Sequence, residues 1–124
     1  IWRLLEFEKG QFEEEPNVSK QVNRGRYLVQ AVGYCDQCHT PRNKLGELID
    51  KYYMAGGSNL GKSEIHPNLT PHLEKGIGQW SEDDIVAFLS TGEKPDGSTA
   101  DHQQVMAEKI EDSYSYFSTD DKEA

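Results

Sequence analysis

Long apolar runs are missing from this 124-residue chain, and so is any clustering of basic charge. Lacking the first, the sequence offers no stretch that would span a bilayer as a helix. Lacking the second, it offers no footprint for nucleic acid, because phosphate neutralisation needs grouped Lys and Arg. Thirteen Lys and Arg stand against 22 Asp and Glu, a formal net charge of −9. That balance also argues against an anionic membrane surface as the main partner and favours a basic protein partner or plain solubility. Apolar residues are scarce as well, 35% hydrophobic against 28% charged. Side chains alone therefore fall short of a comfortable core, and either something else fills the interior or part of the chain is unpacked. There are only two cysteines and two methionines, so every sulfur ligand can be named. A basic-then-apolar leader is absent and the chain opens on Ile1 rather than Met, from which a processed or clipped piece is expected. The length suits one domain with one modest core.

Residues 1 to 8 place Trp2, Leu5 and Leu4 on one helical face, and Glu13-Glu14-Glu15-Pro16 reads as a solvated acidic linker, so residues 1–18 are expected to precede a domain over 19–124. Ser19 predicts the cap of a helix from Lys20 to about Tyr34, with Val22, Leu28, Val29 and Val32 spaced for burial and Gly25 marking a close backbone approach. Thr40 to Pro71, rich in Gly, Pro and Asn, predicts irregular structure with a short helical turn at most; a loop of that length makes sense if it wraps a bound group. Ser81-Glu82-Asp83-Asp84 opens the clearest helix, with Ile85, Phe88 and Leu89 as its stripe and Gly92 as its stop. A shorter helix is expected from about Gln103 to Glu111, and Ser118 caps a further one that the chain end cuts off. No alternating strand is visible. The expected class is all-α with long loops.

Cys35-Asp36-Gln37-Cys38-His39 is the C-x-x-C-H pattern of c-type haem attachment. Two thiols on one helical turn match the two vinyl groups of a porphyrin edge, and the next residue presents an imidazole to the iron. A haem would also supply the missing apolar interior. Three other readings use the same residues: a zinc site from Cys35, Cys38 and two of His39, His66, His72 and His102, which lacks a second close-spaced ligand pair; a thioredoxin-like pair, which lacks its βαβ context; and a short disulfide, which leaves His39 idle. For the sixth ligand the sequence offers Met54, beside Gly56-Gly57 and readable as flexible apolar filler, and Met106, in a polar neighbourhood where a packing role is less expected. Met106 is preferred, with His102 as the fallback giving a lower-potential bis-His centre. The outer N–H of the proximal imidazole needs a carbonyl, and Pro67, which has no N–H of its own to donate, marks a loop whose backbone could present one. Arg42, Asn43, Tyr52 and Trp80 are suitable donors for haem propionates.

Asn23-Arg24-Gly25-Arg26-Tyr27-Leu28-Val29, the stretch from Gly33 through Asn43, Leu45-Gly46, Ala55-Gly56-Gly57, Pro67-Asn68-Leu69-Thr70, Gly76 through Ile85 and Met106-Ala107-Glu108 together resemble bacterial class I cytochrome c domains. The likeness is greatest to mono- and dihaem cytochromes associated with membrane-bound quinoprotein alcohol and sugar dehydrogenases, and it spans about Lys20 to Asp121. The resemblance implies the class I fold, short helices and long loops around one haem c bound through Cys35 and Cys38, with His39 and Met106 as axial ligands, in the periplasm. It implies an electron carrier and not an enzyme, with a dehydrogenase subunit as donor and a quinone- or oxidase-side acceptor, tethered to the inner membrane through other parts of a longer chain. It implies too that the family's closing helix should follow Asp121. A catalytic haem of peroxidase or thiosulfate-oxidising type is the alternative, and it requires a sixth position not held by Met106. His66 stands where a small residue is more usual in the family.

Overall fold

Ser19 adopts extended backbone and its hydroxyl accepts the Val22 N–H at 3.1 Å, which starts helix α1, Lys20–Tyr27. In the computed structural model, which describes residues 10–58, 65–100 and 105–124, the chain forms two compact units, Ile1–Gly78 and Gln79–Ala124. The expected helical face at residues 1–8 lies outside the described residues, as does His102. No described helix is long and apolar enough to cross a membrane.

In the first unit α1 does not run on to Tyr34. A π-helical turn, Leu28–Val32, follows it and closes with the Gly33 N–H donating to the Leu28 carbonyl at 2.7 Å. The stripe read from 3.6-residue spacing holds only in part: Leu28 is buried, but Val22, ahead of the π turn, and Val32, whose register the extra residue shifts, are exposed. Tyr34 then takes a left-handed conformation, φ 49° and ψ 38°, and redirects the chain into α2, Cys35–His39. Beyond it come a bridge between Arg42 and Leu48, a 3-10 turn Asp50–Tyr52, and two antiparallel two-residue strands, β1 Gly57–Ser58 and β2 Ile65–His66, paired Gly57 to His66 and Ser58 to Ile65. These strands correct the strand-free expectation; two residues are too few to leave an alternating pattern.

The acidic stretch ahead of α1 is more than a solvated linker. The side-chain amide of Asn23, 5% exposed, pairs with one peptide unit in both directions: its Oδ1 accepts the Glu15 N–H at 2.8 Å and its Nδ2 donates to the Glu15 carbonyl at 3.0 Å. Arg26 reinforces the strap, donating to Asn23 Oδ1 at 3.1 Å and lying 5.3 Å from the centre of the Phe12 ring, which meets Tyr27 edge-on.

The second unit holds the only cluster of buried hydrophobic side chains among the described residues: Ala100, Ala107, Ile110 and Tyr114, with Phe88, Leu89, Met106 and Phe117 packed against it. Helix α3, Glu82–Thr91, begins with a full capping box between Ser81 and Asp84 and ends at Gly92 in the left-handed region, φ 78°. Gly92 packs beside Ala100, where a Cβ would make an ordinary 3.4 Å contact with the Ala100 methyl, so it is the positive φ that calls for glycine. Helix α4 is described over Val105–Asp112, and α5, Thr119–Glu123, is capped by Ser118. The helix starts and stops read from Ser81, Gly92 and Ser118 are those observed.

Truncating Asn23 removes both bonds to Glu15. Asn23→Ala is expected to cost about 1–2 kcal/mol, read as a lower urea midpoint, and to abolish protection of the Glu15 amide from hydrogen exchange. An Asn23→Ala protein with a protected Glu15 amide would show that the strap is held by other contacts.

Candidate functional site

Helix α2 is a single turn, so Cys35 and Cys38 lie three residues apart on one face and His39 follows on the same side as Cys35. The two thiols are half-buried and not bonded to one another. Burial, followed by the neighbouring Asp36 carboxylate, pushes the Cys35 thiol up from its ordinary range. Among the described residues no three His, Cys, Asp or Glu side chains gather to hold a metal ion. His72 caps its own turn instead, its Nδ1 accepting the N–H groups of Glu74 and Lys75 at 3.2 Å.

His39 is 7% exposed, and its Nδ1 lies 2.8 Å from the Pro67 carbonyl oxygen. A carbonyl can only accept, so Nδ1 carries the proton and Nε2 keeps its lone pair. Burial is the main cause that lowers the His39 pKa, the Pro67 carbonyl opposes it, and the nearby His66 lowers it further. The neutral imidazole, the form that binds metals, is therefore favoured at neutral pH. The backbone of His39 is tied to the same loop, since its carbonyl accepts the Gly56 N–H at 2.7 Å. Gly56 has φ +74°, and a Cβ on it would meet the His66 carbonyl oxygen at 2.6 Å and Asn68 N at 2.7 Å. The loop thus presses its backbone against residues 66–68 where only glycine fits. Met54 is held on both sides: its N–H donates to Thr40 Oγ1 at 3.0 Å and its carbonyl accepts the Leu69 N–H at 2.8 Å, at φ 59°. It is a strained backbone station, a role richer than the flexible filler read from sequence.

The remaining expected residues divide. Arg42 donates to the carbonyls of Gly46 and Gln37 and to Gln37 Oε1, and Asn43 ties Leu45 and Glu47, so both close the loop after α2. Tyr52 is exposed, with the Lys51 ammonium 5.5 Å from its ring centre. Trp80 and Met106 belong to the second unit, Trp80 edge-on to Phe88 at 5.5 Å and Met106 half-buried on the core cluster. Sequence reasoning missed the anchoring parts of Thr40 and Met54, and the signal for them was the Gly56-Gly57 pair just after Met54.

Comparison with known proteins gives the same reading from another direction. The chain is 37% identical over 124 aligned residues, 88% of its length, to the cytochrome c subunit of the quinone alcohol dehydrogenase of Gluconobacter oxydans. It is 42% identical over 94 residues, 76% of its length, to the fructose dehydrogenase cytochrome subunit of Gluconobacter japonicus, and 40% identical over 89 residues, 72% of its length, to a dihaem c-type cytochrome of Cereibacter sphaeroides. The chain belongs to the c-type cytochromes. It spans 24%, 18% and 29% of these three relatives respectively. No protein-family model matches it. The residues of this cytochrome fit a covalently bound haem c: two thiols without a partner on one turn, a buried neutral imidazole beside them, and a first unit in which Leu28 is the only buried hydrophobic side chain among its described residues. The relatives are cytochrome subunits, and nothing in them favours the catalytic-haem alternative.

The tightness at Gly56 makes a direct forecast. Gly56→Ala forces a Cβ into the backbone of residues 66–68 and is expected to cost at least about 2 kcal/mol, lowering the covalent haem stain per unit of protein. Gly46→Ala, at φ +89° with open space around it, should keep near-normal haem content. Equal haem content in the two variants would contradict the packing argument.

Proposed function

We propose that this chain is a single-haem, one-electron carrier whose haem c is bonded through Cys35 and Cys38, with His39 and Met106 as axial ligands. The observation that carries the reading is the His39–Pro67 contact at 2.8 Å, which reserves Nε2 for the iron one residue beyond the second of two unbonded thiols. Haem c supplies a reversible one-electron couple when bound. The chain's own task is then to hold a neutral imidazole in one orientation, to keep water from it, and to supply a thioether that raises the potential over bis-His ligation. Met106 is favoured over Met54 because Met106-Ala107-Glu108 resembles the segment that carries the distal methionine in class I cytochromes c. Tyr52 and Trp80 are retained as propionate donors. Arg42 and Asn43 are retained there too, beside the bonds they make within the loop.

By analogy with its relatives the domain would work in the bacterial periplasm as one part of a longer, membrane-tethered chain. It would pass electrons from the catalytic subunit of a dehydrogenase towards a quinone or an oxidase. Charge supports a basic docking partner. Residues 79–124 hold twelve Asp and Glu against three Lys and Arg, whereas residues 1–78 hold ten of each, so the whole net charge of −9 sits in the second unit.

Two measurements test this. The ferric, matured protein should show the weak long-wavelength band of Met–iron ligation, and Met106→Ala should remove it while the covalent haem remains. A band that survives in Met106→Ala, or one absent from the parent, overturns the ligand assignment. Electron transfer to a basic redox protein should slow steadily as ionic strength rises from about 0.01 to 0.15 M, over which the screening length falls from about 30 to 8 Å. A flat response would remove the acidic unit from the docking argument.

A further inference from the structure

His66 lies on β2, where its residue pairs with Gly57, and its ring meets the His39 ring in an edge-to-face contact, centroids 5.8 Å apart and planes at 64°. The next residue, Pro67, supplies the carbonyl bonded to His39 Nδ1. The last residue of β2 and the one that follows it thus meet the same imidazole in different ways, one on the ring and one at a nitrogen. The support beneath them is rigid. The Gly56 N–H holds the His39 carbonyl at 2.7 Å, the Leu69 N–H closes on the Met54 carbonyl at 2.8 Å, and Gly56 leaves no space against the backbone of residues 66–68. A single hydrogen bond to Nδ1 fixes one point of the ring and tolerates some rotation about the Cβ–Cγ bond, because hydrogen-bond strength falls slowly over the first tens of degrees. A second ring standing across it removes that freedom. Aromatic pairs favour such an edge-to-face arrangement over a flat sandwich.

We propose that His66 is a positioning residue that sets the plane of the His39 imidazole. The proposal rests on His39 being the proximal ligand and adds what selects its orientation. His66 makes no bond to the iron in this account, and its charge is not invoked. The Pro67 carbonyl fixes which nitrogen is offered, and His66 fixes the direction the ring faces as it is offered.

The orientation of an axial imidazole is read by the paramagnetically shifted haem-methyl resonances of the ferric holoprotein, so the test compares parent, His66→Ala and His66→Phe by proton NMR at one pH. His66→Ala should redistribute the four methyl shifts and change the reduction equilibrium against a fixed reference couple, whereas His66→Phe, which keeps a ring edge, should retain the parental order. Unchanged shifts in His66→Ala overturn the proposal, and so does a His66→Phe pattern as altered as that of His66→Ala. Should His66→Ala fail to mature, His66→Phe decides alone: the parental order supports the proposal and a new order overturns it. Failure of the ligand reading would look different, because the parent spectrum itself would then lack histidine coordination.

Discussion

The imidazole of His39 has two nitrogens, and the hydrogen bond made at one decides which of them keeps the lone pair that a metal needs. The Pro67 carbonyl makes that decision, and much of the first unit exists to keep it in place. Pro67 can serve because it has no N–H to place and because the residues on each side of it are gripped, by the Gly57–His66 pairing before it and by the Leu69–Met54 hydrogen bond after it. Gly56 is the pivot of that grip, since its missing Cβ is what lets the two loop segments touch. Thr40, almost wholly buried, holds Met54 from the α2 side through its hydroxyl. A long irregular loop is therefore fixed by a handful of backbone bonds converging on one ring. This is how a chain short of apolar side chains orders a segment that it cannot pack.

The two units solve the problem of stability differently. The second has a small conventional core around Ile110 and Tyr114, with α3 capped at both ends. The first has Leu28 alone among its described hydrophobic side chains as a buried one, and leans on polar devices: the Asn23 clamp on Glu15, the Arg42 bonds around Gly46, and the bonds about His39. Such devices hold local geometry well and contribute about 1 kcal/mol each to stability. They do not replace the burial of a large apolar surface, worth about 25 cal/mol per Å². The unit that carries the Cys-x-x-Cys-His motif is thus the one whose interior most needs a bound group. The scarcity of hydrophobic residues in the sequence and the placement of the motif have a common cause.

What could be read from the sequence follows the range of the interactions involved. The helix ends at Ser81, Gly92 and Ser118 depend on residues within four positions of one another, and so does the haem motif; all were visible. The continuation of α1 to Tyr34 was misjudged because hydrophobic spacing assumes a constant period, and the π turn at Leu28–Val32 changes it by one residue. The Asn23 clamp was invisible, since a lone Asn between Val22 and Arg24 carries no periodic signal and its partner is eight residues away. Arg42 was legible as a donor but not as a loop clasp, because residue type announces capability and not the acceptor chosen. His66 was visible only as an oddity; its partner lies 27 residues away and no local rule connects the two.

Strain around the motif has a consistent placement. The two described non-glycine residues with positive φ are Tyr34, immediately before α2, and Met54, whose N–H is bonded to Thr40 immediately after it. Each left-handed residue costs about 1–2 kcal/mol relative to ordinary backbone, a penalty that persists only where the surroundings over-determine the conformation. Adding the π turn that ends at Val32, all three departures from regular backbone abut the five-residue helix Cys35–His39. A longer, regular helix running through the motif would remove the strain, but it would also carry the chain beyond His39 away from the loop that holds Gly56 and Pro67. The irregular backbone is what allows one helical turn to present two thiols while the chain turns back at once to grip the imidazole from behind.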